Sequence, residues 1–154
     1  MIKYIFFDFD GVFTDNHVYV TEKGVELIRS SRFEGYGIRL LEENNIDCII
    51  LSSEENQVAV HRAKKINIEI VLNCFDKVEQ AKRILKEKGL KFEDAAFLGN
   101  DINDIPLMNN VGYPACVGDA WDSVKTEVQY VTKRFGGNGA VREFCEHVVE
   151  LNKK

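Results

Sequence analysis

The segment Ile5-Phe6-Phe7-Asp8-Phe9-Asp10-Gly11 is an apolar run that closes on two carboxylates. A near-continuous apolar run is the pattern of a strand buried on both faces, as found in parallel sheets covered by helices. Acids at its end mark the carboxyl edge of such a sheet, where open α/β folds bind ligands. Asp8 and Asp10 have the period-2 spacing that sends two side chains to the same side of an extended backbone. Two carboxylates held together repel and favour a cation between them. Hard oxygen donors suit Mg²⁺, and a carboxylate beside that ion can attack a phosphoryl group to form an aspartyl-phosphate. The plainer alternative is a turn in which the acids cap backbone N–H groups and Gly11 supplies a permissive conformation. The rest of the chain has to separate the two.

Short apolar segments alternate with helical ones. Strand patterns cover Ile2–Phe9, Asp47–Leu51, Glu69–Leu72, Ala95–Leu98 and Val111–Val117. Helical patterns cover Tyr36–Glu43, Asn56–Lys65, Lys77–Lys88 (with Gly89 as a stop), the region Asp104–Asn109 and Gly139–Leu151. The piece from His17 to Ile28, turning at Glu22-Lys23-Gly24, reads as a hairpin. This order predicts an α/β fold over residues 1–154: a Rossmann-like parallel sheet, helices on both faces, a small β-hairpin flap and no cap domain. Right-handed crossovers then gather every βα loop on one edge.

Size and charge narrow the function classes. A chain of 154 residues suits one domain with a substantial core. A net charge of −5, from 25 acidic and 20 basic residues, disfavours nucleic acid as the partner and leaves an anionic small molecule open. Cys48, Cys74, Cys116 and Cys145 form no CxxC pair and lie in or beside apolar segments, the pattern of buried free thiols in a reducing compartment. The first residues run directly into a strand bearing Asp8 and Asp10, unlike a signal peptide, and no apolar run is long enough to span a bilayer. A cytoplasmic protein with no membrane partner is expected.

Three more strand ends carry polar residues. Leu51-Ser52-Ser53-Glu54 offers the Ser52 hydroxyl as a phosphate ligand or, alternatively, as a helix N-cap. Lys77 opens a long helix, where a cation is mildly unfavourable; it is either a fixed charge beside a phosphoryl group or a solvated lysine. Gly99-Asn100-Asp101-Ile102-Asn103-Asp104 clusters oxygen donors for a hard metal, or forms an Asx-rich turn ahead of Pro106. Together, an Asp pair, a Ser, a Lys and an Asn/Asp cluster describe metal-assisted phosphoryl transfer through aspartate.

These four stretches resemble the motifs of the haloacid dehalogenase superfamily of phosphatases, across essentially the whole chain. Asp8-Phe9-Asp10-Gly11-Val12 is similar to the first motif, Ser52 to the second, Lys77 to the third and Gly99–Asp104 to the fourth. Gly11-Val12-Phe13-Thr14-Asp15, the run through Ile105-Pro106 and Gly136-Gly137-Asn138-Gly139-Ala140-Val141-Arg142-Glu143 narrow the resemblance. They point to the capless branch acting on 3-deoxy-2-ulosonic acid phosphates. The resemblance implies Asp8 as nucleophile and Asp10 as general acid/base, whose backbone carbonyl also ligates Mg²⁺. Asp8, Asn100, Asp101 and Asp104 are the other implied metal ligands, and Ser52 and Lys77 complete the catalytic set. Thr14, Glu54, Arg62 and Lys65 are the implied substrate contacts. The branch also implies a homotetramer in which the hairpin Val18–Ile28 of one subunit helps to close the site of another.

Two departures bear on substrate and metal. Where octulosonate 8-phosphate phosphatases read Gly-Arg after the motif Ser or Thr, this chain has Ser53-Glu54. Glu54, Arg62 and Lys65 resemble the nonulosonate 9-phosphate enzymes, in which a cation meets the sugar carboxylate; a solvated helix face is the alternative for Arg62 and Lys65. The expected substrate is therefore a deoxynononate or acylneuraminate 9-phosphate, with octulosonate 8-phosphate as the alternative. Asn100 stands where the family has Asp, and a similar Gly-Asn occurs in the C-terminal module of acylneuraminate cytidylyltransferases, which serves assembly. That makes a non-catalytic oligomerisation module the rival; Asp8, Asp10 and Lys77 argue against it. A response-regulator receiver is a more distant reading.

Overall fold

A computed structural model describes all residues, 1–154. Eight strands are formed: β1 (Tyr4–Phe7), β2 (Thr14–Val20), β3 (Glu26–Ser30), β4 (Asp47–Leu51), β5 (Glu69–Val71), β6 (Ala95–Gly99), β7 (Tyr113–Cys116) and β8 (Tyr130–Val131). Six helices connect or follow them: α1 (Glu34–Glu43), α2 (Gln57–Lys65), α3 (Lys77–Glu87), α4 (Ile105–Met108), α5 (Asp122–Lys125) and α6 (Ala140–Asn152). Six strands form one sheet in the order β5-β4-β1-β6-β7-β8, every pair parallel, while β2 and β3 make a separate antiparallel hairpin.

That order fixes the position of the site. The chain runs outward from β1 through β4 to β5, then crosses back to β6 and continues to β7 and β8. The reversal falls between β1 and β6, and a crevice opens there beyond the strands' carboxyl ends. Right-handed crossovers put α1 and α2 on one face and α3 to α5 on the other. The packing of α1 against α6, and of α3 against α4, agrees with this division. All four residues of β1 are buried, and the Phe7, Phe9 and Phe13 rings pack at centroid distances of 5.6 and 5.8 Å directly beneath the first loop. Burial of each such ring contributes about 1.5–3 kcal/mol, so the loop bearing Asp8 and Asp10 is anchored on a rigid floor.

The expected elements form with small shifts. Strand β4 has the expected bounds, α1 starts at Glu34 rather than Tyr36, and β1 is shorter than the apolar run that announced it. The region after Asp101 forms a 3-10 turn (Ile102–Asp104) before α4, with Pro106 in its first turn. Ser52 is not a helix cap: α2 begins at Gln57, and Asn56 caps it by accepting from the Val58 N–H at 2.9 Å. Two short elements, α5 and β8, have too few residues to show a period in sequence.

Candidate active site

The carboxyl ends of β1, β4 and β6, with the head of α3, supply the centre. Asp8 follows β1, and its N–H donates to the Leu98 carbonyl at 3.0 Å, extending the ladder by one residue. Lys77 is only 4% exposed, although an unpaired lysine is almost never buried. Its Nζ donates to Asp8 Oδ1 at 2.8 Å and to Asp104 Oδ1 at 2.7 Å. Burial works against the ammonium charge, but the two carboxylates outweigh it and hold the Lys77 pKa above its ordinary value. Asp76 caps α3 by accepting from the Glu79 N–H at 2.9 Å, so the helix delivers Lys77 in a fixed direction. The solvated-lysine alternative is thereby set aside.

The fourth stretch divides its roles. Asp104 is fully buried, and both oxygens are committed: Oδ1 to Lys77, and Oδ2 to the N–H groups of Asn100 at 2.8 Å and Asp101 at 3.3 Å. Gly99 permits this, because a Cβ there would stand 2.5 Å from Asp104 Oδ2. Asp101 accepts from the Ile102 N–H at 2.7 Å and caps the 3-10 turn. Asp101 and Asp104, expected as metal ligands, thus also anchor the turn and, for Asp104, Lys77. Asn100 is buried and lies against Gly11, where a Cβ would overlap its amide. The candidate donors for a metal are the Asp8 carboxylate, the Asp10 carbonyl and the Asn100 amide oxygen. No three His, Cys, Asp or Glu side chains cluster to hold a metal, so any ion here relies on this mixed set. Hard oxygens with few charges fit Mg²⁺.

Burial acts in the same direction on both first-loop acids. Burial, then repulsion from Asp104, raises the Asp8 pKa, and Lys77 opposes both. Burial also raises the Asp10 pKa, and Glu54 and Glu26 add to it while Lys77 opposes. A carboxyl that keeps its proton nearer neutrality suits a general acid. Ser52 is buried, and its Oγ accepts from the Glu54 N–H at 3.3 Å, which leaves its O–H free to donate to an anion.

Outward from Asp10, a cavity of about 240 Å³ is lined by Thr14, Asn16, His17, Glu26, Glu54 and Asn56, among others. Thr14 and Glu54 thus stand where the sequence placed substrate contacts, although the Thr14 hydroxyl already accepts from the Gly11 and Asn16 N–H groups. Asn16, His17 and Glu26, which the sequence did not single out, also line the cavity; they lie on the hairpin, whose sequence shows no strand-end signal. Arg62 and Lys65 do not line this cavity. Helix α2 leads away from the catalytic edge as every crossover helix does, carrying Lys65 to its exposed last turn, and an Arg62 Nη2–H donates to the Ser31 carbonyl.

Comparison with known proteins agrees with this geometry. A family model for haloacid dehalogenase-like hydrolases matches residues 39–144. The 3-deoxy-D-manno-octulosonate 8-phosphate phosphatase of Yersinia pestis is 32% identical over 154 residues, covering 99% of this chain and 82% of that protein. The chain belongs to the haloacid dehalogenase-like hydrolase family. The crystal structure of the same-named phosphatase from Moraxella catarrhalis, in complex with magnesium ion, phosphate ion and KDO, superposes with a TM-score of 0.91 at 27% identity, over 97% of this chain and 86% of that one. N-acylneuraminate cytidylyltransferase A of Danio rerio is 26% identical, but this chain spans only 36% of its length. The protein is thus a capless phosphatase-type hydrolase with the α/β fold expected from sequence, and Mg²⁺ is the cofactor of phosphatases in this family. No helix is long and apolar enough to cross a membrane.

Proposed function

We propose that the chain hydrolyses the phosphomonoester of a 3-deoxy-2-ulosonic acid through an aspartyl-phosphate on Asp8. The observation that carries this is the buried Asp8–Lys77–Asp104 array at the sheet's switch point. Lys77 holds Asp8 Oδ1 and leaves Oδ2 to attack phosphorus, and its charge offsets the negative charge of the transferring group. Bound Mg²⁺ supplies charge neutralisation and orientation of the phosphoryl oxygens. Asp10, the less buried of the two first-loop acids, protonates the leaving sugar oxygen and then takes a proton from the water that cleaves the acyl-phosphate. Ser52 donates to a phosphoryl oxygen. An assembly module would have no use for a lysine and two carboxylates buried together, each costly to desolvate.

Within that class we assign a nine-carbon acid 9-phosphate, deoxynononate or acylneuraminate, ahead of octulosonate 8-phosphate. Glu54 and Glu26, with Asn16 and Asn56, offer acceptors to the hydroxyl or amine groups of a longer chain. No Lys or Arg lines the same cavity, so Arg62 and Lys65 would meet a substrate carboxylate only across an interface between copies. The hairpin supports such an assembly. It exposes Val18, Tyr19, Val20, Val25 and Leu27, each more than half accessible, and a two-stranded ribbon is marginal without cover. A homotetramer in the cytoplasm, closed by hairpins, is the proposed active unit.

The test is phosphate release from both substrates with and without Mg²⁺, alongside Asp8→Asn, Glu54→Ala and light scattering. Turnover by wild type, and none by a folded Asp8→Asn, supports the mechanism. Better use of octulosonate 8-phosphate, or an unchanged ratio in Glu54→Ala, removes the nonulosonate assignment. A fully active monomer removes the tetramer. Mg²⁺-independence or inactivity on every such ester restores the assembly-module reading.

A further inference from the structure

Glu34, the first residue of α1, is 1% exposed, and its two carboxylate oxygens are the chain's only buried side-chain polar atoms without a hydrogen-bond partner. An orphaned buried carboxylate calls for an explanation, because an apolar side chain would fill the same volume without the desolvation cost. Its surroundings supply one. Ser31, where the hairpin ends, stands on one side, and Arg62 of α2 reaches across to the Ser31 carbonyl. The head of α6, which packs against α1, stands on another. Burial raises the Glu34 pKa, and its own backbone N–H, Ser31, Arg62 and the Gly139 backbone oppose it.

The same segments lead to the catalytic loop. The Gly137 N–H donates to the Val12 carbonyl at 3.0 Å, and Asn138 Oδ1 accepts from both Arg29 terminal nitrogens at 3.2 and 3.3 Å. Arg29, on β3, also pairs with Asp15 at 3.4 Å. Hairpin, first loop and Gly-rich loop are thus joined as a bracket, with Glu34 at its base. The hairpin walls the substrate cavity through Asn16, His17 and Glu26, yet it contributes nothing to the Asp8–Lys77–Asp104 array.

We propose that Glu34 is a positioning residue whose buried carboxylate, at the junction of hairpin, α2 and Gly-rich loop, sets the angle of the hairpin over Asp10. The kinetic consequence rests on the sugar-acid phosphatase reading: substrate engagement depends on Glu34 and phosphoryl transfer does not. Glu34→Gln keeps the shape and removes the charge, and Glu34→Asp keeps the charge but withdraws it from Ser31 and Gly139.

In Glu34→Gln, amide hydrogen exchange should quicken within residues 14–31 while the amides of β1 and β6 keep wild-type protection. KM for the sugar acid phosphate should rise by about tenfold or more, since a displaced contact of this kind costs up to roughly a hundredfold. Turnover of p-nitrophenyl phosphate, which has no sugar for the hairpin to hold, should stay within about twofold. Unchanged hairpin exchange overturns the proposal. So does an equal loss on both esters together with a lower global Tm. If Glu34→Gln does not fold, Glu34→Asp is judged by the same criteria. If wild type cleaves p-nitrophenyl phosphate but no sugar acid phosphate, the substrate reading fails on its own, and hairpin exchange alone decides the role of Glu34.

Discussion

Lys77 shows how a single side chain changes meaning between sequence and structure. In the sequence it is one of 20 basic residues and starts a helix, against the dipole. In the fold it is buried between Asp8 and Asp104. Lys77→Met removes the shared cation and leaves two carboxylates in a desolvated site. It should cost about 3–5 kcal/mol in urea unfolding without Mg²⁺ and abolish turnover. Asn100 and Asp104, expected in the same role, differ for a related reason: the acid is engaged by N–H donors and a lysine, whereas the amide lies beside Gly11. Asn100→Asp should therefore lower the Mg²⁺ concentration for half-maximal activity by about tenfold, since ligand charge count tunes affinity for hard cations. Asp104→Asn should lower kcat with little change in that concentration. A Mg²⁺ titration of phosphate release for each variant checks both.

At the scale of elements, the Gly-rich loop does work that no single helix or strand does. A Cβ on Gly136 would fall 1.9 Å from the Gly11 carbonyl oxygen, so this loop lies against the loop that carries Asp8 and Asp10. Gly136→Ala should push that loop away from the metal donors. The expected stability loss is about 1–3 kcal/mol, as for other overpacked sites, with kcat/KM falling further than stability explains; thermal unfolding and kinetics on the same sample separate the two. The strands and longer helices were legible in sequence because a continuous apolar run reports a strand buried on both faces and an apolar period of 3.6 a helix buried on one. The hairpin was legible as a hairpin, but its contribution to the substrate cavity was not. Asn16, His17 and Glu26 stay exposed in the fold, and only the path of β2 and β3 brings them beside Asp10.

At the scale of the whole molecule, the site holds acids that folding makes harder to ionise. The Asp8, Asp10 and Glu34 pKa values all lie above their ordinary carboxylate values, mainly through burial. Such groups bind protons in the folded state that the unfolded chain has released. The stability these three groups contribute without metal is therefore fully present below the unfolded carboxylate pKa of about 4 and is lost as pH rises through the higher folded values. Mg²⁺ binds the ionised form of Asp8, so its stabilising effect should grow over the same window. Tm measured with and without Mg²⁺ at about pH 5 and pH 7.5 should show a larger metal-induced increase at the higher pH; an equal increase would remove the coupling.

The sequence alone determined the α/β architecture, because each buried strand must be apolar on both faces and each crossover helix on one. It also pointed to the proposed chemistry, because Asp8, Asp10, Ser52 and Lys77 all fall at ends of such elements. Which oxygens remain free for a metal was decided only in three dimensions: Asn100, Asp101 and Asp104 are near neighbours in the chain, and only their hydrogen bonds tell them apart. The same holds for Arg62. The resemblance implied a substrate contact for it, but the direction of α2 carries it to the Ser31 carbonyl, near an acid, Glu34, that nothing in the sequence marked as buried. Local pattern reports which side of an element is covered. It does not report what covers it, because that depends on residues far away in the chain that packing brings together.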